Sequence, residues 1–408
     1  MRRHSELVSG TILMRKIAYP YLFAALIWPS SAVPPQGQTG ELSHSAETRP
    51  ATLCDYATRF LEFMRTDLEA RNEHGLLAVE AFLDGGDVAT AEALAAQLDG
   101  YRRALAWARI GVALAESQDE RAAQFLEKTR IDSRLLSEWQ KAAAQADEAV
   151  LTAAIGQVSE GRRLLDSLFE DPACYEAQSR MFRYGDGDYR TRYLKEFLKH
   201  EKVGALLRGW ALLESGRGQL AAGDLGDARA TLHRAAEELS GRGELRTAER
   251  LGKVSVLLLE TGDREGAARW AMVSAGFAER FPEENGWRPR AFAFAARAQL
   301  AAGDLEGART SAQEAAKVVA AAESIALPEA LIAAADAATT VGETGVAERM
   351  IQLLCNAAAR HPHHRAKAMA ALQVIGWRAR RGLGIDDTTR IGLDALARGI
   401  ESDPFAKS

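Results

Sequence analysis

The chain has 408 residues, of which 47% are apolar but only 7% aromatic, and 51 basic against 56 acidic side chains leave a net charge of −5. Alanine, leucine and valine therefore carry the hydrophobic content, which favours close-packed helices over sheet. The charge balance argues against a nucleic-acid binder that relies on bulk phosphate attraction.

From the N-terminus, Met14-Arg15-Lys16 precedes the apolar stretch Ile17 to Trp28 and then Pro29-Ser30-Ser31-Ala32. A basic start, a short apolar run and a small-residue cleavage site make residues 1–32 a secretory signal, with Met14 the better start and cleavage near Ala32. The apolar run is broken by Pro20 and falls short of the ~20 residues of a membrane-spanning helix, so no stable membrane insertion is expected. Residues 33–54, rich in Pro, Gly, Ser and Thr, read as a disordered linker. The product is expected in the periplasm or outside the cell. Cys54, Cys174 and Cys355 are far apart and form no CxxC pair. Buried free thiols are the plainer reading, and a Cys54–Cys174 bridge the alternative open to an exported chain.

Residues 55–361 carry a repeat. The segments Ala222-Gly223-Asp224-Leu225, Thr261-Gly262-Asp263-Arg264, Ala302-Gly303-Asp304-Leu305 and Val341-Gly342-Glu343-Thr344 each close one apolar-periodic stretch and open another, and their glycines are 39, 41 and 39 residues apart. Glycine supplies the left-handed conformation that ends a helix, and the acidic residue after it caps the next one. Seven residues before the turn glycine stand Gly216, Ser255, Ala296 and Ala335, and five after it Ala228, Ala267, Ala308 and Ala347. A small residue on each of two crossing helices lets their backbones approach. Looser versions of the turn fall at Gly86, Gln118 and Gly156, with Val79, Gly111 and Ala149 before them and Ala91, Ala123 and Gly161 after, which makes seven units.

The register breaks at 171–202. Here Tyr175, Phe182, Tyr184, Tyr189, Tyr193 and Phe197 alternate with Arg180, Arg183, Arg190, Arg192, Lys195, Lys199 and Lys202. Such interleaving either stacks and pairs with a partner or fills a packing irregularity in a degenerate repeat. Gly185-Asp186-Gly187-Asp188 within it reads as a sharp turn, because Arg190 stands where a calcium loop needs a ligand. Beyond His361 the register is lost again, and helices over Met369–Arg381 and Thr388–Ile400 are expected to cap the array within 362–408.

The glycine-acidic turn with its alanine register resembles the tetratricopeptide repeat over roughly Leu68 to His361. The chain departs from that family in its 38- to 41-residue period and its missing first-helix Trp and Tyr; HEAT-type units share the longer period. The resemblance implies an all-α, right-handed superhelical solenoid of antiparallel helix hairpins whose first helices line a concave groove. It places the residue six before each turn in that groove, here Glu80, Arg217, Arg297 and Asp336 among valines. With Tyr184, Tyr189, Arg190 and Tyr193 of the break, these are the candidate partner-binding residues. Reversing Arg217 and Arg297 to Glu is expected to weaken partner capture with little change in melting temperature. The family's clamp for C-terminal carboxylates needs a groove asparagine, and none stands at that position.

No catalytic motif is found. Gly216-Arg217-Gly218-Gln219-Leu220-Ala221 satisfies a dinucleotide fingerprint on paper but follows no strand. The His361-Pro362-His363-His364 run crosses a proline in a loop, a poor frame for metal ligands. The sequence thus points to an exported, non-catalytic scaffold that binds a protein or peptide without cofactor, metal or nucleic acid. A cell-wall or glycan-associated toroid, enzyme or binder, and a cytoplasmic regulatory module are the competing readings.

Overall fold

The computed structural model describes residues 52–168, 172–241, 245–281, 287–317 and 327–402. The signal and most of the linker lie outside the described residues. Among those described, every regular element is helical, and the helices pack in neighbouring pairs. The pairs are α2 (Leu68–Asp84) with α3 (Val88–Ala95), α4 (Gly100–Glu116) with α5 (Ala122–Ser133), and α6 (Glu138–Ala154) with α7 (Val158–Asp166). After the break come α11 (Ala205–Ala221) with α12 (Leu225–Ser240), α13 (Leu245–Glu260) with α14 (Arg264–Glu279), and α15 (Arg288–Ala301) with α16 (Leu305–Lys317). Then follow α17 (Leu327–Thr340) with α18 (Thr344–Ala359) and α19 (His364–Arg380) with α20 (Asp387–Glu401). A single helix, α1 (Leu53–Glu62), precedes them all.

All seven expected turn positions have positive φ, from +60° at Gln118 to +91° at Gly156. In each, the amide of the following residue reaches back five positions, as Asp87 N–H does to Phe82 O (2.8 Å) and Asp304 N–H to Gln299 O (2.8 Å). That bond satisfies a carbonyl the ending helix would otherwise orphan. Asp87, Asp263 and Asp304 then cap the next helix, accepting from Thr90, Gly266 and Gly307 N–H. An eighth turn of the same type, at Gly382 (φ +61°) with Leu383 N–H on Arg378 O, joins α19 to α20.

The small-residue register brings the two helices of a pair into contact. Ser255 Oγ donates to Ala267 O at 2.6 Å, and a Cβ on Gly161 would lie 2.5 Å from Ala149 O. One position is corrected. Asp119 spends its carboxylate on Arg121 N–H, so α5 starts late, and Ala122 rather than the expected Ala123 is the buried small residue.

In the break, α8 (Pro172–Met181) takes the place of a first helix, packing on α6 and α11. A short irregular run follows it: α9 (Gly187–Tyr189), a π-helical segment (Arg190–Leu194) and α10 (Lys195–Lys199). Phe182, Tyr189 and Phe197 are buried, with Phe182 against both of the others, so these rings fill a small core of their own. Asp186 ends the turn by capping α9 on Tyr189 N–H.

The first helices contact one another in the order α2, α4, α6, α8, α11, α13, α15, α17, α19, and α19 then packs on α2. The circuit closes. Accordingly, one hydrophobic core contains residues from both ends of the chain, including Phe60, Phe82, Ile332 and Trp377. The expectation that the last two helices cap an open end is therefore corrected: α19 and α20 complete a ring. Glycines permit it, since a Cβ on Gly85 would lie 2.0 Å from Ala379 O and one on Gly376 3.2 Å from the Ala81 methyl. Outside this seam, Tyr56 of α1 donates to Asp394 of α20 (2.6 Å), and Arg59 pairs with Glu401 (2.6 Å). No helix among the described residues is long and apolar enough to cross a membrane.

Candidate functional site in the ring lumen

Closing the circuit turns one face of every first helix toward the centre. Helical periodicity puts residues 2, 6, 9 and 13 before each turn on one stripe. The position six before the turn supplies Glu80, Arg217, Arg297 and Asp336, and the same stripe adds Asp84, Glu116, Glu260 and Arg380 at minus two. At minus nine stand Arg109, Asp147, Glu214 and Lys253, and at minus thirteen Glu73, Glu249, Arg290 and Glu329. These were missed on sequence alone, although extending the minus-six position by helical steps would have found them.

Ion pairs link the stripe in two arcs, from α2 through α4 and α6 to α8 and from α15 through α17 to the end of α19, while on α11 and α13 the pairs lie within one helix. Arg109 on α4 pairs with Glu80 on α2 and lies 3.5 Å from Asp147 on α6, which also pairs with Arg180 on α8. Glu116 pairs with Arg183 and accepts from Tyr184 Oη (2.6 Å). Glu214, only 1% exposed, is held by Arg217 (3.2 Å) and Trp210 Nε1 (3.3 Å). Lys253 pairs with Glu249 at 2.8 Å, and Asp336 receives both Arg297 (3.0 Å) and Arg381 (3.1 Å).

Their titration follows from these partners. Burial alone raises the Glu249 carboxyl, but Lys253, Arg290 and Arg250 outweigh it and leave it at about 2. Asp336 is likewise lowered, burial being overcome by Arg297, Arg381 and Arg380. Glu176 and Glu329 go the other way, raised chiefly by burial. Asp84 is pushed up to about 7 by burial, in spite of Arg380, Lys253 and Arg297. Lys253 lies on α13 and Asp84 on α2, four helices apart by the shorter way round the circuit.

A raised carboxyl pKa makes the folded state bind more protons than the unfolded chain between the ordinary value near 3.8 and about 7. Stability contributed by Asp84 is therefore present at low pH and lost as pH rises through that window. Asp84→Asn is expected to flatten the decline between pH 4 and 7, read by urea unfolding at each pH. An unchanged slope would assign the decline to other groups.

Each sequence-predicted residue now has a place. Glu80, Arg217, Arg297 and Asp336 face the lumen, but each is engaged in an ion pair between or within first helices. Arg190 is 7% exposed and donates to Gly185 O, so it closes the turn after α8. Tyr189 is buried, with Tyr193 beside it at 4.8 Å and Arg162 over the Tyr193 ring at 5.0 Å. Tyr184 reaches the stripe through Glu116. The glycines of the paper dinucleotide fingerprint lie inside α11, where Gly218 admits the Arg183 carbonyl. All three cysteines are free thiols. On the outer layer, Trp270 Nε1 donates to His233 Nδ1 (3.1 Å), which sets His233 Nε2–H toward Asp263 (2.6 Å). This dyad ties one pair to the next and stands away from the lumen stripe.

The geometry defines the class: an all-helical ring of helix pairs with a mixed-charge, half-buried lumen. No family model matches the chain, and a search of curated proteins returns no significant match.

Proposed function

We propose that the chain is an exported, tetratricopeptide-like scaffold that binds a protein or peptide partner through the inner face of its first helices, without catalysis of its own. The observation that carries this reading is the lumen stripe. In nearly every pair the same helical face is turned inward and bears charge, where an array built only for packing would place apolar residues. The stripe holds both signs with an acidic excess, ten carboxylates against six cations, which suits a segment carrying both signs of charge and does not suit a polyanion. The glycine turns and the contacts seven before and five after them support antiparallel hairpins of the tetratricopeptide type, and such hairpins stack with a right-handed twist. Export rests on the signal read at Met14–Ala32.

The test is a fluorescence-anisotropy screen of the full chain against a library of mixed-charge peptides, repeated with Lys253→Met. Expected is a set of binders that weaken several-fold with Lys253→Met and with added salt. Binders indifferent to both would move recognition off the lumen and sink the proposal. N-terminal sequencing of protein from cells tests export, a start near Val33 being the expected result.

One observation favours a second reading, a glycan-associated toroid. Asp84, a carboxyl group poised near pH 7 inside a closed ring, has the proton affinity a general acid requires. Release of soluble fragments from peptidoglycan incubated with the full chain, abolished by Asp84→Asn, would replace the scaffold reading with this one.

A further inference from the structure

We propose that His233 makes the joint between the pair α11–α12 and the pair α13–α14 a pH-sensitive hinge: when its imidazole takes up a second proton, Trp270 is released and α14 turns away from α12, with Asp263 left as the pivot. This inference is independent of what the lumen binds.

The joint differs from the others around the ring. Between successive first helices, the contact of α11 with α13 is the slightest among the described residues. The lumen stripe does not bridge it either, since Glu214 is held by Arg217 on α11 and Glu249 by Lys253 on α13. Arg250 of α13 does cross, donating to Leu206 O (2.8 Å) and lying 4.3 Å from the Trp210 ring. On the outer layer Arg229 of α12 donates to Thr261 O (2.7 Å), and Trp270 of α14 is linked through His233 to Asp263. Arginine keeps its charge throughout, and a carbonyl has none to lose. Only the link through histidine rests on a residue type that changes charge between pH 5 and 8.

Indole Nε1–H is a donor only, so His233 Nδ1, 3.1 Å away, is the acceptor and carries no proton. Nε2–H then donates to Asp263 Oδ2 at 2.6 Å. A second proton has only Nδ1 to bind. There it sets two N–H groups against each other and leaves the indole of Trp270, a 3% exposed residue, without its acceptor. On the opposite edge of the imidazole the bond strengthens, because an imidazolium donates to a carboxylate more strongly than a neutral ring does. Asp263 stays ionised to receive it: burial raises its carboxyl, but the Gly266 amide, His233 and Arg229 outweigh burial and leave it lowered. The other charged groups around the ring are Arg229, one turn earlier and spent on Thr261 O; Glu237, one turn later and exposed; Arg269 of α14, over the Trp270 ring at 4.8 Å; and Glu238, held by Arg208 of α11 at 3.0 Å. In the structure Nδ1 bonds to Trp270 and to none of these. Acid therefore moves the tie from Trp270–His233 to His233–Asp263, and the two outer helices lose one of the contacts that fix their angle.

Spin labels on Arg234→Cys of α12 and Met272→Cys of α14, both exposed positions, test the hinge in the full chain carrying Cys54→Ser, Cys174 and Cys355 being buried. From pH 8 to pH 5 the distance between the labels is expected to lengthen. The indole 1H–15N resonance of Trp270, assigned by its loss in Trp270→Phe, is expected to move upfield over the same range. His233→Gln offers Trp270 a carbonyl oxygen and Asp263 an N–H at every pH, so both changes should vanish and the pH 8 distance should persist. Trp270→Phe should give the longer distance at both pH values. An indole resonance that holds its place, a distance that ignores pH, or a His233→Gln chain that responds as the parent does overturns the proposal. So does a Trp270→Phe chain that keeps the parent's response, and this variant, which leaves a ring in the core, decides the matter even where His233→Gln fails to fold.

Discussion

Gly85→Ala is expected to open the ring, whereas Gly86→Ala, one residue on, is expected only to weaken it. The two glycines serve different ends. Gly85 has ordinary helical φ (−82°), but a Cβ there would lie 2.0 Å from the Ala379 carbonyl oxygen and 2.8 Å from its carbon. Backbone cannot rotate aside as a side chain can, so α2 and α19 must part. A cost of about 3 kcal/mol or more is expected, at the upper end of overpacking penalties. At Gly86 nothing lies within 4 Å of the added atom, and the residue is needed only for its φ of +80°. Alanine there should cost about 1 kcal/mol. Urea unfolding gives the two stabilities, and small-angle scattering gives the radius of gyration, which should rise for Gly85→Ala alone. Equal effects of the two substitutions would show that the Gly85–Ala379 approach does not hold the ring shut.

The second large effect concerns the arginines expected from sequence to be free for a partner. Arg297→Glu would set a new carboxylate against Asp336, and Arg217→Glu would set one against Glu214, which is almost wholly buried. Breaking a buried pair leaves its partner uncompensated and typically costs about 3–5 kcal/mol. With the Arg297 side chain 31% exposed, solvent screening brings the expectation toward the lower figure there. The ion pairs thus argue against the expectation of little change in melting temperature. Both variants should melt well below the parent, while Arg163→Glu on the outer surface should barely move it. If Arg297→Glu melts with the parent, the Asp336 pair is open to solvent and contributes little.

The seven turns were legible in the sequence because their chemistry is local. A left-handed residue and a six-to-one hydrogen bond fall within a few positions at every turn, and an acidic cap follows at Asp87, Asp263 and Asp304. The small-residue register was legible for the same reason, being symmetric about the turn, and it slipped by one only at Gln118, where no glycine sets the geometry. The eighth turn was missed because Gly382 has neither an acidic follower nor the small-residue register, Ile375 standing seven before it and Asp387 five after. The aromatic-basic break could be located but not interpreted, since spacing does not tell a stacking platform from Phe182, Tyr189 and Phe197 filling a core.

Helix content, pairing and turns thus follow from short-range pattern alone. Closure does not. It joins α1 to α20 across 338 residues at Tyr56 and Asp394, and it depends on small rotations summed over every pair, none of which any single repeat records. The charges show the same division. Periodicity places them on one face of each first helix, but only a closed ring makes that face an interior. There burial competes with neighbouring cations, leaving Glu249 ionised and Asp84 poised near neutrality.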